Sequence, residues 1–128
     1  MTLLIDTHAL LWFLADNPRL PSQIRERIEN DTETVFVSMA SLWEIAIKIS
    51  VGKLNLGEPL EKVINIRLPE INVQILDIGA AHVAYVSSLP LYHRDPFDRI
   101  IIAQSQVEQM PLVSVDNKFD LYEIQRIW

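Results

Sequence analysis

The sequence contains no cysteine. That absence excludes a disulfide-stapled scaffold, cysteine-ligated zinc and thiol catalysis together, and it fits a reducing cytosol. Long apolar runs are missing as well, and no stretch approaches the roughly 20 uncharged residues of a membrane-spanning helix. The opening Met1-Thr2-Leu3-Leu4-Ile5-Asp6 has no basic segment, and its apolar run stops at Asp6 and His8, so no secretory signal is expected. Repeats, low-complexity tracts and linkers are absent too. The expectation is a soluble cytoplasmic protein with no membrane partner.

Basic residues are scarce: 11 Lys and Arg face 17 Asp and Glu, a net charge of −6. Phosphate binding ordinarily wants a basic face, so this balance argues against a nucleic-acid partner. The objection weakens if several carboxylates converge on divalent cations, because the ions cancel the local charge. What the chain has in quantity is apolar residues, 49% of its 128 positions, enough for a sizeable core. Its length fits one domain, residues 1–128, and not two.

The chain alternates strand-like and helix-like segments. Leu3-Leu4-Ile5 reads as a buried strand, followed by a helix over about 9–15 and turn residues Asp16-Asn17-Pro18. A helix from Pro21 to about Asn30 carries Ile24 and Ile28 on one face. Val35-Phe36-Val37 is a second strand, and Ser38 caps a helix reaching about Ser50. Pro59 starts a helix to about Leu68; strands over 73–78 and 112–115 flank helices over 79–88 and 95–109. A short last strand falls within 124–128. This order implies a three-layer α/β/α sandwich on a mainly parallel sheet, with ligands bound beyond the carboxyl ends of the strands.

That edge is where acids gather. Asp6 follows the first strand and Asp116 the fourth. Glu44 sits among apolar neighbours in the helix after strand two, a costly place for a carboxylate without a partner. Asp95 and Asp98 share one side of a first helical turn. Oxygen donors without cysteine suit a hard cation such as Mg²⁺ or Mn²⁺, and such a site serves phosphoryl chemistry.

Each acid also has a structural reading that the residues alone leave open. Asp6 caps a helix; Asp95, Pro96 and Asp98 satisfy a capping rule; Glu44 and Lys48 form an i, i+4 pair; Asp116-Asn117 makes a turn. Those readings do not explain why three of these four positions follow strands or open helices at one predicted edge.

Several segments resemble the PIN domain family, in particular its VapC-like branch of toxin ribonucleases. They are Asp6-Thr7-His8-Ala9-Leu10-Leu11-Trp12, Ser41-Leu42-Trp43-Glu44-Ile45-Ala46-Ile47-Lys48, His93-Arg94-Asp95-Pro96-Phe97-Asp98-Arg99 and Ser114-Val115-Asp116-Asn117-Lys118-Phe119. The resemblance spans essentially the whole chain. It implies an Mg²⁺- or Mn²⁺-dependent endoribonuclease, the toxin of a type II toxin–antitoxin pair, commonly dimeric and silenced by a small antitoxin. Its metal-binding acids correspond to Asp6, Glu44, Asp98 and Asp116, with Asp95 an extra acid that serves as ligand, support or cap. In the mechanism so implied, Asp6, Asp98 and Asp116 hold one ion, while Glu44 holds a second or orients its waters. Gln104 and Ser105 depart from the small residues of many relatives, which alters helix packing more than chemistry.

Lys48, Arg94, Arg99 and Lys118 lie close in sequence to these acids and are candidate contacts for RNA phosphates, though each also reads as an ion-pair partner or a solvated charge. His8 and His93 invite a general-base role, which a metal-assisted hydrolysis does not need, so polar packing or support is expected of them. Trp12 and Trp43 are read as core or dimer interface. Two other readings compete. A phosphotransfer receiver domain needs an acid after strand three, yet Asp77 lies within the alternation there. A PIN-fold binding module without turnover keeps the fold but predicts no metal-restorable cleavage.

Overall fold

Strand β1 (Thr2–Ile5) buries Leu3, Leu4 and Ile5 completely, and the three divide between two cores. Leu3 and Ile5 point into one apolar cluster and Leu4 into the other, the alternation of a strand covered on both faces. The computed structural model describes residues 1–30 and 32–128. Its sheet has five strands in the order β3-β2-β1-β4-β5, with β2 (Thr34–Ser38), β3 (Val73–Leu76), β4 (Leu112–Val113) and β5 (Arg126–Ile127). All four pairings are parallel, so the carboxyl ends share one edge.

One face of the sheet is covered by α1 (Thr7–Leu14), α2 (Ser22–Glu29) and α3 (Met39–Ser50), through Leu10, Phe13, Ile24, Ile28, Leu42 and Ile45. A continuous helical segment completes that layer: α4 (Leu60–Lys62), a π-helical turn (Val63–Arg67) and α5 (Leu68–Glu70). The π turn has a local cause. Pro69 has no N–H to continue the α ladder, and the Leu68 N–H reaches Val63 O, five residues back. On the opposite face α6 (Ala80–Val86) and α7 (Pro96–Glu108) pack with Leu89, Met110, Phe119 and Tyr122 around Leu4 and Leu112. Full burial of each such aliphatic side chain contributes ~1.5–3 kcal/mol.

The sequence-predicted architecture therefore stands: three layers, a parallel sheet, and every expected strand and helix. The differences lie at the ends. The first helix begins at Thr7 rather than near 9 because Asp6 already caps it. The third and fourth strands stop at Leu76 and Val113, before the expected 78 and 115. Where Asp116-Asn117 offered a turn, Asp116 caps a 3₁₀ helix over Asn117–Leu121. Gln104 and Ser105 are buried in α7, where they bond the carbonyls of Asp77 and Met110. No helix among the described residues is long and apolar enough to cross a membrane.

Candidate acidic metal site

The three central strands, β2, β1 and β4, deliver acids to the same edge. Asp6 directly follows β1 and is 5% exposed. Its Oδ1 accepts the Ala9 N–H at 2.8 Å, which makes it the α1 cap. Burial pushes its carboxyl above the usual range, while hydrogen bonds from the Ser114 side chain and the Ala9 amide pull the other way. Asp6 thus caps α1 while its carboxyl stands at the edge where the other acids gather.

Glu44, in the second turn of α3, reaches the same edge. The Thr7 hydroxyl donates to its Oε1 at 2.8 Å and lies 2.9 Å from the buried Ser41 Oγ. Lys48 Nζ stands 3.3 Å from its Oε2, the i, i+4 pair expected from spacing. Asp116 ends the loop after β4. Its Oδ1 accepts the Lys118 N–H at 2.9 Å, and its own amide donates to Ser114 Oγ at 3.0 Å. Asp95 caps α7: its Oδ1 accepts from the amides of Phe97 (2.8 Å) and Asp98 (3.0 Å).

Asp98 is where these acids meet. Its carboxyl is pushed up to about 7, first by burial and then by the charges of Asp95, Glu44, Asp6 and Asp116. Every acid the sequence analysis singled out therefore acts on one carboxylate. Asp77, by contrast, is exposed and does not act on Asp98, which leaves no support for a receiver-type arrangement.

His93 was set aside as packing or support, yet it stands inside the cluster. Its Nε2 lies 3.0 Å from Asp98 Oδ2 and 3.4 Å from Asp116 Oδ2. Neither contact has hydrogen-bond alignment, and Nε2 is buried without a hydrogen-bond partner. Its place is set from several sides. The His93 amide donates to Tyr122 Oη at 2.8 Å, Arg99 Nη1 donates to its carbonyl at 3.2 Å, and the ring packs on Phe119. Its signals in the sequence are its place two residues before Asp95 and at the head of the His93–Arg99 segment.

The basic candidates separate. Arg99 Nη1 donates to the carbonyls of Pro90 and His93, and Nη2 to those of Val86 and Leu89, so the guanidinium is engaged in holding that loop. Lys48 pairs with Glu44, whereas Arg94 and Lys118 are exposed beside the acids in sequence. His8 is exposed, and its charge bears on Asp6. Trp43, read as core or interface, is 59% exposed and meets Phe97 edge-on; Trp12 is half-buried against the C-terminal Trp128.

This donor set fits a divalent cation. Crowded, partly buried carboxylates hold their charge at a cost that a cation would offset, and the ligand atoms of His93, Asp98 and Asp116 lie within 4.8 Å of one another. Asp6, Glu44, Asp98 and Asp116 supply the hard oxygens that Mg²⁺ or Mn²⁺ takes.

Comparison with known proteins follows the same line. No curated protein sequence matches the chain. Among solved structures, VapBC2 from Rickettsia felis bound to a promoter DNA fragment is similar, with TM-score 0.74 and 18% identity over 99% of this chain and 98% of that one. VapBC from Salmonella typhimurium bound to DNA gives 0.71 and 16%, over 99% and 97% of the chains. FitAcB from Neisseria gonorrhoeae gives 0.70 and 16%, over 100% and 97%. At such identities the likeness is one of fold. The family model described as "PIN domain" matches residues 3–124, nearly the whole chain, and with the acids described above at its strand ends this protein belongs to the PIN domain family.

Proposed function

We propose that the protein is a divalent-cation-dependent endoribonuclease that hydrolyses RNA phosphodiesters and serves as the toxin of a type II toxin–antitoxin module. The observation that carries this reading is the convergence of four further acids on Asp98, whose carboxyl is held near 7. Such a cluster suits a protein that gathers cations at a phosphate.

Asp6, Glu44, Asp98 and Asp116 would hold the ion or ions, Mg²⁺ or Mn²⁺, which would supply Lewis acidity toward a water nucleophile and the phosphate charge. The chain's own part is placement. The Ala9 amide and Ser114 fix Asp6, Thr7 fixes Glu44, and the capping role of Asp95 leaves Asp98 in the first turn of α7. Arg94 and Lys118, both exposed, would contact flanking phosphates, and Lys48, paired with Glu44, is a further candidate for such a contact.

Similarity in fold to VapBC and FitAB toxin–antitoxin assemblies supports a protein antitoxin as partner. Met39, Trp43, Ile47 and Val51 form an exposed apolar stripe at four-residue spacing along α3, which supports a protein interface, including a homodimer. Absence of cysteine agrees with a cytoplasmic location.

The test is cleavage of single-stranded RNA by antitoxin-free protein. Excess EDTA is expected to stop cleavage, Mn²⁺ or Mg²⁺ to restore it, and Asp98→Asn to abolish it with the fold intact by circular dichroism. Cleavage indifferent to EDTA would remove the metal mechanism. No cleavage under any ion would favour the binding-module reading.

A further inference from the structure

His93 with Asp98 and Asp116 looks at first like a ready-made triad of metal ligands. The orientation of the ring argues otherwise. Its Nδ1 accepts the Asp95 amide N–H at 3.4 Å, which engages that nitrogen as acceptor and leaves Nε2 as the edge that can donate. A metal-ligating imidazole has the opposite arrangement: one nitrogen is bare toward the metal and the other donates to a carbonyl or carboxylate. Here the N–H edge, not a lone pair, looks toward Asp98 and Asp116.

We propose that His93 is a positioning residue: its Nε2–H, shared between Asp98 Oδ2 and Asp116 Oδ2, holds these two carboxylates toward a common point without itself ligating the cation. The inference rests on the metal-site reading above. Sharing explains why Nε2 meets neither oxygen in good alignment although it stands 3.0 and 3.4 Å from them. The two acids come from separate elements, α7 and the loop after β4, and like charges drive them apart. An N–H wedge between them counters that. The ring is supported accordingly. Its amide and carbonyl are tied to Tyr122 and Arg99, and Phe119 backs its face, so residues without any acid of the site fix its position. His82 provides a contrast within the same chain: its Nδ1 accepts the Gly79 amide at 2.9 Å and its Nε2 faces Glu108 at 3.5 Å, a purely structural bridge between helices.

The experiment uses Mn²⁺ alone on the antitoxin-free protein. Calorimetric affinity and pulsed EPR of bound Mn²⁺ are recorded for wild type, His93→Phe and His93→Gln, each checked for fold by circular dichroism. His93→Phe keeps the ring against Phe119 but removes the N–H, and it is expected to weaken Mn²⁺ binding by about 10- to 100-fold, the usual effect of losing a supporting group. His93→Gln restores an N–H near the same point and is expected to recover most of that affinity. Wild type should show no directly bonded imidazole nitrogen. A nitrogen coupling present in wild type and lost in His93→Gln would overturn the inference by making His93 a ligand. So would unchanged affinity in His93→Phe, or a His93→Gln as weak as His93→Phe. Failure of wild type to bind Mn²⁺ would instead sink the metal-site reading itself.

Discussion

Replacing Asp98 by Asn should make the metal-free protein more stable, although it destroys the site. The carboxyl is raised from 3.8 to about 7 in the folded chain, roughly three pH units. At ~1.4 kcal/mol per unit this would be ~4 kcal/mol of stability lost on ionisation. The side chain is 26% exposed, so solvent screening reduces the figure, and Asn also forgoes ~0.3–1 kcal/mol of favourable interaction with the α7 dipole. A net gain of roughly 1–2 kcal/mol above pH 7 is the expectation. Its sign follows from proton binding. Between about pH 4 and 7 the folded chain retains a proton that the unfolded chain has released, so this group's contribution is full below pH 4 and fades as pH rises through 7. Urea unfolding in EDTA at pH 5 and pH 8 measures it. Asp98→Asn should exceed wild type at pH 8, and the gap should shrink at pH 5. Mn²⁺ should reverse the order, because only wild type gains binding energy. A variant that is less stable at pH 8 in EDTA, or a gap that ignores pH, would refute the claim that charge converges on this carboxylate.

Two further outcomes concern the loop that carries His93. Tyr122→Phe removes the hydroxyl that donates to Pro90 O at 2.7 Å and accepts from the His93 amide, and thermal unfolding should register a loss of ~1–3 kcal/mol. Arg99→Lys replaces a planar fork bonded to four carbonyls by a point charge that cannot span them, with a similar loss of ~1–3 kcal/mol expected and faster amide exchange over 86–93.

The fold was legible because its signals are local. Leu3-Leu4-Ile5 and Val35-Phe36-Val37 are apolar runs too short for helices, and Ser38, Pro59 and Asp95 mark helix starts through their own side chains. Asp6, Asp95, Asp98 and Asp116 were legible for a related reason: each follows a strand or opens a helix, and a parallel sheet brings such positions to one edge. His93 and Arg99 were not. Arg99 announced a positive charge but not its direction, and its carbonyl partners lie 6 to 13 residues back along a loop with no periodicity. His93 depends on Tyr122, 29 residues away, whose phenol carries no motif. Glu44 fell between: its pairing with Lys48 follows from spacing, whereas its bond to Thr7 crosses 37 residues and exists only once β1 and β2 are paired.

The strand order has a consequence in time. β4 enters the sheet between β1, made first, and β5, made last, so the slot beside Asp6 is filled only after Leu112 and Val113 have been synthesised. Asp116 arrives later still. The residues of β1, β2 and β3, which pair β1 with β2 and β2 with β3, and of α1 to α5 all precede Asp95, Asp98 and Asp116 in the chain. The acidic edge is thus completed by contacts of long sequence separation, the kind that forms slowest.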